Sequence, residues 1–168
     1  MRKILVIDTS ILCVWLDVPG KETCGAQNDR WDKARVENIL KLEEERGTLF
    51  VLPLAVIIET GNHIAQSQNA WECANALCDI IRKTLDAKSP WAQFSQQDAL
   101  WSSEHLHKLV NEWPEYAKAK LSIGDMTIKT VADYYAEARY IVHILTGDKG
   151  LKAYEPTIKP PIPRRYKI

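Results

Sequence analysis

Long apolar runs, an excess of charge of one sign and paired cysteines are all missing from this sequence. No stretch of the 168 residues approaches the ~18 apolar residues that a membrane-spanning helix needs. Lysine plus arginine equals aspartate plus glutamate, at 22 residues each, which disfavours a protein that coats nucleic acid but allows local basic patches. The N-terminal apolar run stops at Asp8 without a small-residue cleavage site, so we expect no secretory signal peptide.

The four cysteines show no pattern typical of a metal site or a disulfide. None belongs to a Cys-x-x-Cys pair, and Cys73 and Cys78 lie on a predicted helix at a spacing that points their side chains in different directions. The four histidines show no matching ligand spacing. We therefore expect reduced thiols, no zinc site and a cytoplasmic location.

The sequence does contain a strand that ends in an acidic residue. Residues 4–7, Ile-Leu-Val-Ile, are an unbroken apolar run that is typical of a buried strand in a parallel sheet. Asp8, Thr9 and Ser10 follow, and then a segment of helical character. The carboxyl ends of parallel strands form the ligand crevice of an open sheet. Asp8 is therefore either a helix cap or a metal-binding or catalytic group.

Three further acidic residues occupy comparable places. Asp148 follows a second strand of the buried type, and Glu59 lies in a helix that starts at Pro53. Asp125 stands three residues after Ser122, as in a capping box at a helix start. Since parallel strands bring their carboxyl ends to one edge, these carboxylates would converge and repel one another unless a cation such as Mg²⁺ or Mn²⁺ joined them. Taken singly, Asp125 and Asp148 also fit helix caps, and Glu59 fits a solvated helix residue.

Helical periodicity covers much of the remaining chain. We predict helices over 29–46, 69–85 and 97–113, an exposed loop before the first, and an irregular segment over 87–95. Glu43 belongs to an acidic run that we place on the solvated face of the first of these helices.

The six tryptophans divide into two groups. Trp31, Trp71 and Trp101 fall at helical core spacing, so we expect them to pack in the core. Trp91 stands beside Pro90 in the irregular segment, and we therefore select it as the tryptophan most suited to stacking on a nucleic-acid base.

In this combination and order, the motifs resemble those of the PIN-domain nucleases, and especially the small VapC-like ribonuclease toxins of toxin–antitoxin systems. Each motif alone is weak, and together they are fairly specific. The matching segments are Ile4-Leu-Val-Ile-Asp8-Thr9-Ser10, Leu52-Pro53-Leu-Ala-Val-Ile-Ile-Glu59, Asp125-Met-Thr-Ile128-Lys-Thr-Val-Ala132 and Ile144-Leu-Thr146-Gly-Asp148.

The resemblance implies an α/β, PIN-like fold, with a central parallel sheet flanked by helices on both faces. It implies a single domain over residues 1–168, with elaborations at about 17–29 and 66–120 and a basic, proline-rich C-terminal tail. Thr146 would orient a carboxylate or the attacking water, and Thr9 or Ser10 would support the first aspartate. The residues that would hold one or two Mg²⁺ or Mn²⁺ ions are Asp8, Glu59, Asp125 and Asp148.

The activity implied is that of a metal-dependent endoribonuclease, which hydrolyses phosphodiester bonds of single-stranded or structured RNA. The family further suggests a growth-inhibiting toxin with an antitoxin protein as partner, and a homodimer. Candidate phosphate contacts, for which surface solubility is the alternative interpretation, are Lys129, Lys149, Arg164 and Arg165.

Three other functions remain open on the sequence alone. The chain is compatible with a PIN-like nuclease of RNA processing or defence, and with a catalytically silent PIN-like binding module. A different metal-dependent phosphohydrolase, such as a phosphatase, fits less well, because Ser10 stands where an Asp-x-Asp motif beginning at Asp8 would have its second aspartate.

Overall fold

The computed structural model describes residues 2–157; the C-terminal tail that was expected to contact phosphate, with Arg164 and Arg165, lies outside this range. So do residues 165–168, where the sequence allows a last edge strand. The elements in chain order are β1 (Lys3–Ile7), α1 (Thr9–Trp15), α2 (Lys33–Glu45), β2 (Leu49–Val51), α3 (Leu54–Ala65), α4 (Ala70–Leu85), a 3-10 helix (Phe94–Trp101), α5 (Ser103–Lys118), α6 (Ile123–Glu137), β3 (Ile141–Leu145) and α7 (Lys149–Lys152).

A three-stranded parallel sheet forms the centre of the fold, in the order β2-β1-β3. The α/β class and the parallel sheet expected from the sequence are confirmed. The unbroken apolar run of β1 is explained by its central position, because residues 4–7 are all at most 3% exposed. Helix α6 packs against β1 and β3, and α1 packs against α2 and α3. None of the helices within residues 2–157 has the length and hydrophobicity needed to cross a bilayer.

Three helix boundaries differ from the periodicity-based prediction, and one of them is the C-terminal end of α5, which continues through Pro114 to Lys118 rather than stopping at residue 113. Helix α2 begins at Lys33 rather than near residue 29, because the side chain of Asp32 caps it by accepting a hydrogen bond from the backbone N–H of Arg35. The predicted helix over 97–113 is two elements, since Ser102 ends the 3-10 helix and caps α5 by accepting from the N–H of His105. Capping side chains therefore set the other two boundaries, while apolar periodicity continues through them.

The predictions for two tryptophans are wrong, and in opposite directions. Trp71 is 81% exposed, because the buried face of α4 is set by Cys73, Leu77 and the residues that follow them at helical spacing. Trp91 is 5% exposed. It forms a parallel bridge with Phe50 at the edge of β2 and lies 6.3 Å from Trp15, ring centroid to centroid. It is therefore a core residue and cannot stack on a nucleobase in this conformation.

Glu43 is also misplaced by the sequence-based prediction, because it is 6% exposed rather than solvated. Its carboxylate accepts hydrogen bonds from Lys3 at 2.8 Å, from the Thr48 hydroxyl at 2.6 Å and from Arg46 at 3.1 Å. Burial alone would raise the pKa of Glu43, but these partners outweigh burial and lower the pKa. A buried carboxylate thus joins α2 to the start of β1.

Candidate functional site

Asp8 lies directly after the central strand, and its side chain is the most thoroughly hydrogen-bonded group at that end of the sheet. The residue is 5% exposed. As the cap of α1, it accepts from the backbone N–H groups of Thr9 at 2.7 Å and Ser10 at 3.4 Å. It also accepts from the Ser10 hydroxyl at 2.6 Å and the Thr146 hydroxyl at 2.7 Å. Asp8 is therefore a cap, and it is also joined to the end of β3.

Burial raises the pKa of Asp8 above its ordinary value of 3.8. Hydrogen bonds from Ser10, Thr146 and Thr9 oppose this rise, and the negative charge of Asp125 adds to it. Asp125 thus lies close enough to Asp8 for its negative charge to disfavour the ionisation of Asp8. A cation at this edge of the sheet would relieve that repulsion.

Glu59 reaches the same region from the middle of α3. Its Oε2 accepts a hydrogen bond from the Thr9 hydroxyl at 2.8 Å, so the hydroxyl of Thr9 joins Glu59 to the residue after Asp8. Its Oε1 lies against Gly124, where an added methyl group would stand 2.1 Å from that oxygen. Because Gly124 has no side chain, the carboxylate of Glu59 can approach the start of α6, one residue from Asp125.

The capping box predicted at the start of α6 is confirmed. The Ser122 hydroxyl accepts from the N–H of Asp125 at 3.0 Å, and Oδ2 of Asp125 accepts from the N–H of Ser122 at 2.8 Å. This arrangement fixes the carboxylate of Asp125 through Oδ2 alone. Oδ1 of Asp125 has no hydrogen-bond donor among the residues that the structure describes.

The turn after β3 carries Thr146 and Asp148. The N–H of Asp148 donates to the Thr146 hydroxyl at 2.9 Å, and that hydroxyl in turn donates to Asp8. The N–H of Gly147 donates to the Ser10 hydroxyl at 3.1 Å. Asp148 is exposed and caps α7 through its Oδ1, which accepts from the N–H of Gly150 at 2.6 Å. The turn is therefore hydrogen-bonded to the Asp8 region at two points.

The donor chemistry of the four carboxylates suits Mg²⁺ or Mn²⁺, which prefer hard oxygen ligands. Oε1 of Glu59, Oδ1 of Asp125 and Oδ2 of Asp148 accept no hydrogen bond from any described residue and so remain available. Within residues 2–157, no three His, Cys, Asp or Glu side chains stand close enough to hold one ion together. Thr9 links Asp8 to Glu59, and Thr146 links Asp8 to the backbone of Asp148. Service of the four carboxylates as metal ligands stays a prediction.

Two candidate phosphate contacts have different surroundings. Lys129 is paired with Asp133 at 2.5 Å and lies 5.9 Å from the centroid of the Tyr116 ring. Partial burial alone would lower the pKa of Lys129, but the ion pair with Asp133 raises it. Lys149 is exposed beside Asp148. Phosphate binding by either lysine stays a prediction.

The structure adds a contact that the sequence analysis did not anticipate. Cys24 and Gly25, in the loop between α1 and α2, lie directly against Gly147. The turn-forming residues Pro19, Gly20 and Gly25 predict a loop over 17–28. Nothing in the sequence indicates the partner of that loop, because the two segments are more than a hundred positions apart.

Comparison of the chain with protein-family models, with curated proteins and with solved structures finds no match. The likeness to the PIN-domain nucleases therefore rests on the four sequence motifs. The geometry around Asp8 is an independent observation, because it follows from contacts between segments that are distant in the sequence.

Proposed function

We propose that this chain is a divalent-metal-dependent endoribonuclease with a PIN-like fold, in which helices cover both faces of the sheet. The observation that best supports the proposal is the hydrogen-bonded arrangement of Asp8, Glu59 and the turn after β3 at the carboxyl edge of the sheet. Asp8 is joined to Glu59 through Thr9 and to the Asp148 turn through Thr146, and its pKa is affected by the charge of Asp125.

In this proposal the reaction is hydrolysis of an RNA phosphodiester by water. The oxygen of water forms a bond to phosphorus and the bond to the 3′ oxygen breaks, which leaves a 3′-hydroxyl and a 5′-phosphate. A bound Mg²⁺ or Mn²⁺ would lower the pKa of its water and neutralise charge on the phosphate. The carboxylates would hold the ion. By donating to Oδ2 of Asp8, Thr146 would favour the ionised form of that carboxylate and fix its orientation for metal binding.

The activity is tested with purified protein and an end-labelled single-stranded RNA. We expect cleavage in Mn²⁺ or Mg²⁺, none in EDTA, and products that carry 5′-phosphate and 3′-hydroxyl ends. Products with a 2′,3′-cyclic phosphate formed equally in EDTA would contradict the metal-dependent mechanism. RNA binding without cleavage in any metal would favour the catalytically silent binding module.

The toxin role belongs to the same proposal and has its own test. We propose that the chain acts in the cytoplasm, inhibits growth by cutting cellular RNA, and is held in check by an antitoxin protein. Expression in a bacterial host is expected to arrest growth, and Asp8→Asn is expected to relieve the arrest. Growth that continues despite measurable RNA cleavage in vitro would favour a role in RNA processing or defence.

A further inference from the structure

The turn formed by Thr146, Gly147 and Asp148, called the Asp148 turn below, is hydrogen-bonded to the residues after β1. Thr146 donates to Asp8, and the N–H of Gly147 donates to the hydroxyl of Ser10. These contacts fix the start of the turn, and residues of the loop between α1 and α2 also touch it.

Cys24 and Gly25 are the loop residues that approach Gly147 at close range. An added methyl group at Gly147 would stand 2.6 Å from Sγ of Cys24 and 2.9 Å from the backbone nitrogen of Gly25. Gly147 does not adopt the left-handed conformation, so its backbone would tolerate alanine. The close approach of residues 24–25 is therefore what calls for glycine at position 147.

The loop that carries Cys24 is anchored to the body of the protein. Cys24 and Trp31 exchange two backbone hydrogen bonds, of 3.1 and 2.8 Å, and Trp31 is 8% exposed. The guanidinium of Arg35 lies 3.8 Å from the centroid of the Trp31 ring and pairs with Asp29 at 2.8 Å. Residues 24–25 are therefore held in place by a buried tryptophan where they contact the Asp148 turn.

We propose that Cys24 and Gly25 are positioning residues that hold the Asp148 turn against the Asp8 region. The proposal rests on the proposed function, because it assigns these residues a task at the same site. The turn is hydrogen-bonded to Ser10 through the N–H of Gly147 and is in close contact with Cys24 and Gly25 at the same residue. Asp148 is exposed and its carboxylate accepts a hydrogen bond only from Gly150 among the described residues, so its position depends on how the turn before it is held.

The test is Gly147→Ala, which inserts a methyl group into the contact. Sub-ångström placement is critical at reacting groups, so we expect kcat for RNA cleavage to fall by about 10²-fold with little change in KM. In a Cys78→Ser background, which removes the exposed thiol, the same variant should increase the rate at which N-ethylmaleimide alkylates Cys24 several-fold. Mass spectrometry of the labelled peptide assigns the site.

The matched control is Gly61→Ala, the same change on α3 at a position where an added methyl group meets no atom within 4 Å. It should alter neither kcat nor Cys24 alkylation. The double variant Cys24→Ala/Gly147→Ala relieves the contact with Sγ but keeps the contact with the backbone of Gly25, so it should recover part of the lost kcat. Circular dichroism melting of each variant reports whether it is folded.

Two results would overturn the proposal. One is a folded Gly147→Ala protein with unchanged kcat and unchanged Cys24 alkylation, and the other is an equal loss of kcat in the folded Gly61→Ala control. If the wild-type protein cleaves no RNA, the proposed function fails. The alkylation rate still decides in that case whether residues 24–25 are in contact with the turn.

Discussion

At the scale of single residues, Asp8 is a buried carboxyl group whose surroundings disfavour its charged form. It is 5% exposed, and although three neighbouring residues donate hydrogen bonds to it, its pKa is raised. A buried carboxyl group with a raised pKa is typical of functional sites, because burying its charged form is costly. The nearby charge of Asp125 increases the cost of ionisation in the absence of a cation.

This cost predicts a pH dependence of stability. Because the folded-state pKa of Asp8 lies above its ordinary value of 3.8, the folded protein binds the proton more tightly than the unfolded chain does. The contribution of Asp8 to stability is therefore full below about pH 4 and is lost as the pH rises through the raised value. In EDTA, the Tm of the wild type minus that of Asp8→Asn should decrease from pH 4 upward.

Thermal melts by circular dichroism over this pH range measure the difference. Mn²⁺ should reduce the decrease, because a bound cation favours the ionised carboxylate. A Tm difference that stays constant with pH in EDTA would show that Asp8 ionises at its ordinary pKa, contrary to the buried arrangement.

A second prediction at this scale concerns Glu43. Glu43→Ala leaves the buried Thr48 hydroxyl and the ammonium of Lys3 without their acceptor, so we expect the free energy of unfolding to fall by about 2 kcal/mol. Glu44→Ala, on the exposed side of the same helix turn, should change it by no more than ~0.5 kcal/mol. Urea denaturation provides both values, and equal effects of the two substitutions would contradict the assigned role of Glu43.

At the scale of elements, helix caps determine where the acidic residues stand. Ser122→Ala removes the acceptor for the N–H of Asp125, and we expect a loss of about 1 kcal/mol in the free energy of unfolding, measured in urea. Ser102→Ala removes the corresponding cap of α5. No residue of α5 is fully buried, whereas α6 buries six, so fraying of α5 should cost the global stability less. A larger loss for Ser102→Ala would be inconsistent with this packing.

A helix or strand can be predicted from the sequence when the residues that define it lie close together in the chain. The apolar run of β1, the proline before α3 and the Ser122–Asp125 box each lie within a few residues, and each led to the observed element. Trp71 and Trp91 were placed wrongly because their burial depends on packing partners, α3 for one and β2 for the other, and no local pattern identifies those partners. The buried state of Glu43 similarly depends on Lys3, forty positions away.

At the scale of the whole molecule, the candidate site joins segments from the two ends of the described chain. Thr146 bonds to Asp8 across 138 positions and Thr9 bonds to Glu59 across 50. The sequence supplied the acidic residues and the expectation that strand ends share an edge. It could not supply Ser10 as the link to Gly147 or the loop at Cys24, because these contacts exist only once the sheet order β2-β1-β3 is formed.

The measurement that tests the central claim most directly is metal-dependent RNA cleavage by Asp125→Asn beside Asp79→Asn. Both variants lose one carboxylate charge, but Asp125 lies near Asp8, whereas Asp79 is an exposed residue of α4 paired with Arg82. The account predicts that Asp125→Asn abolishes the cleavage that Mn²⁺ supports and that Asp79→Asn retains it. Equal activity of the two variants in Mn²⁺ would contradict the assignment of the carboxylates at this edge as the site of catalysis.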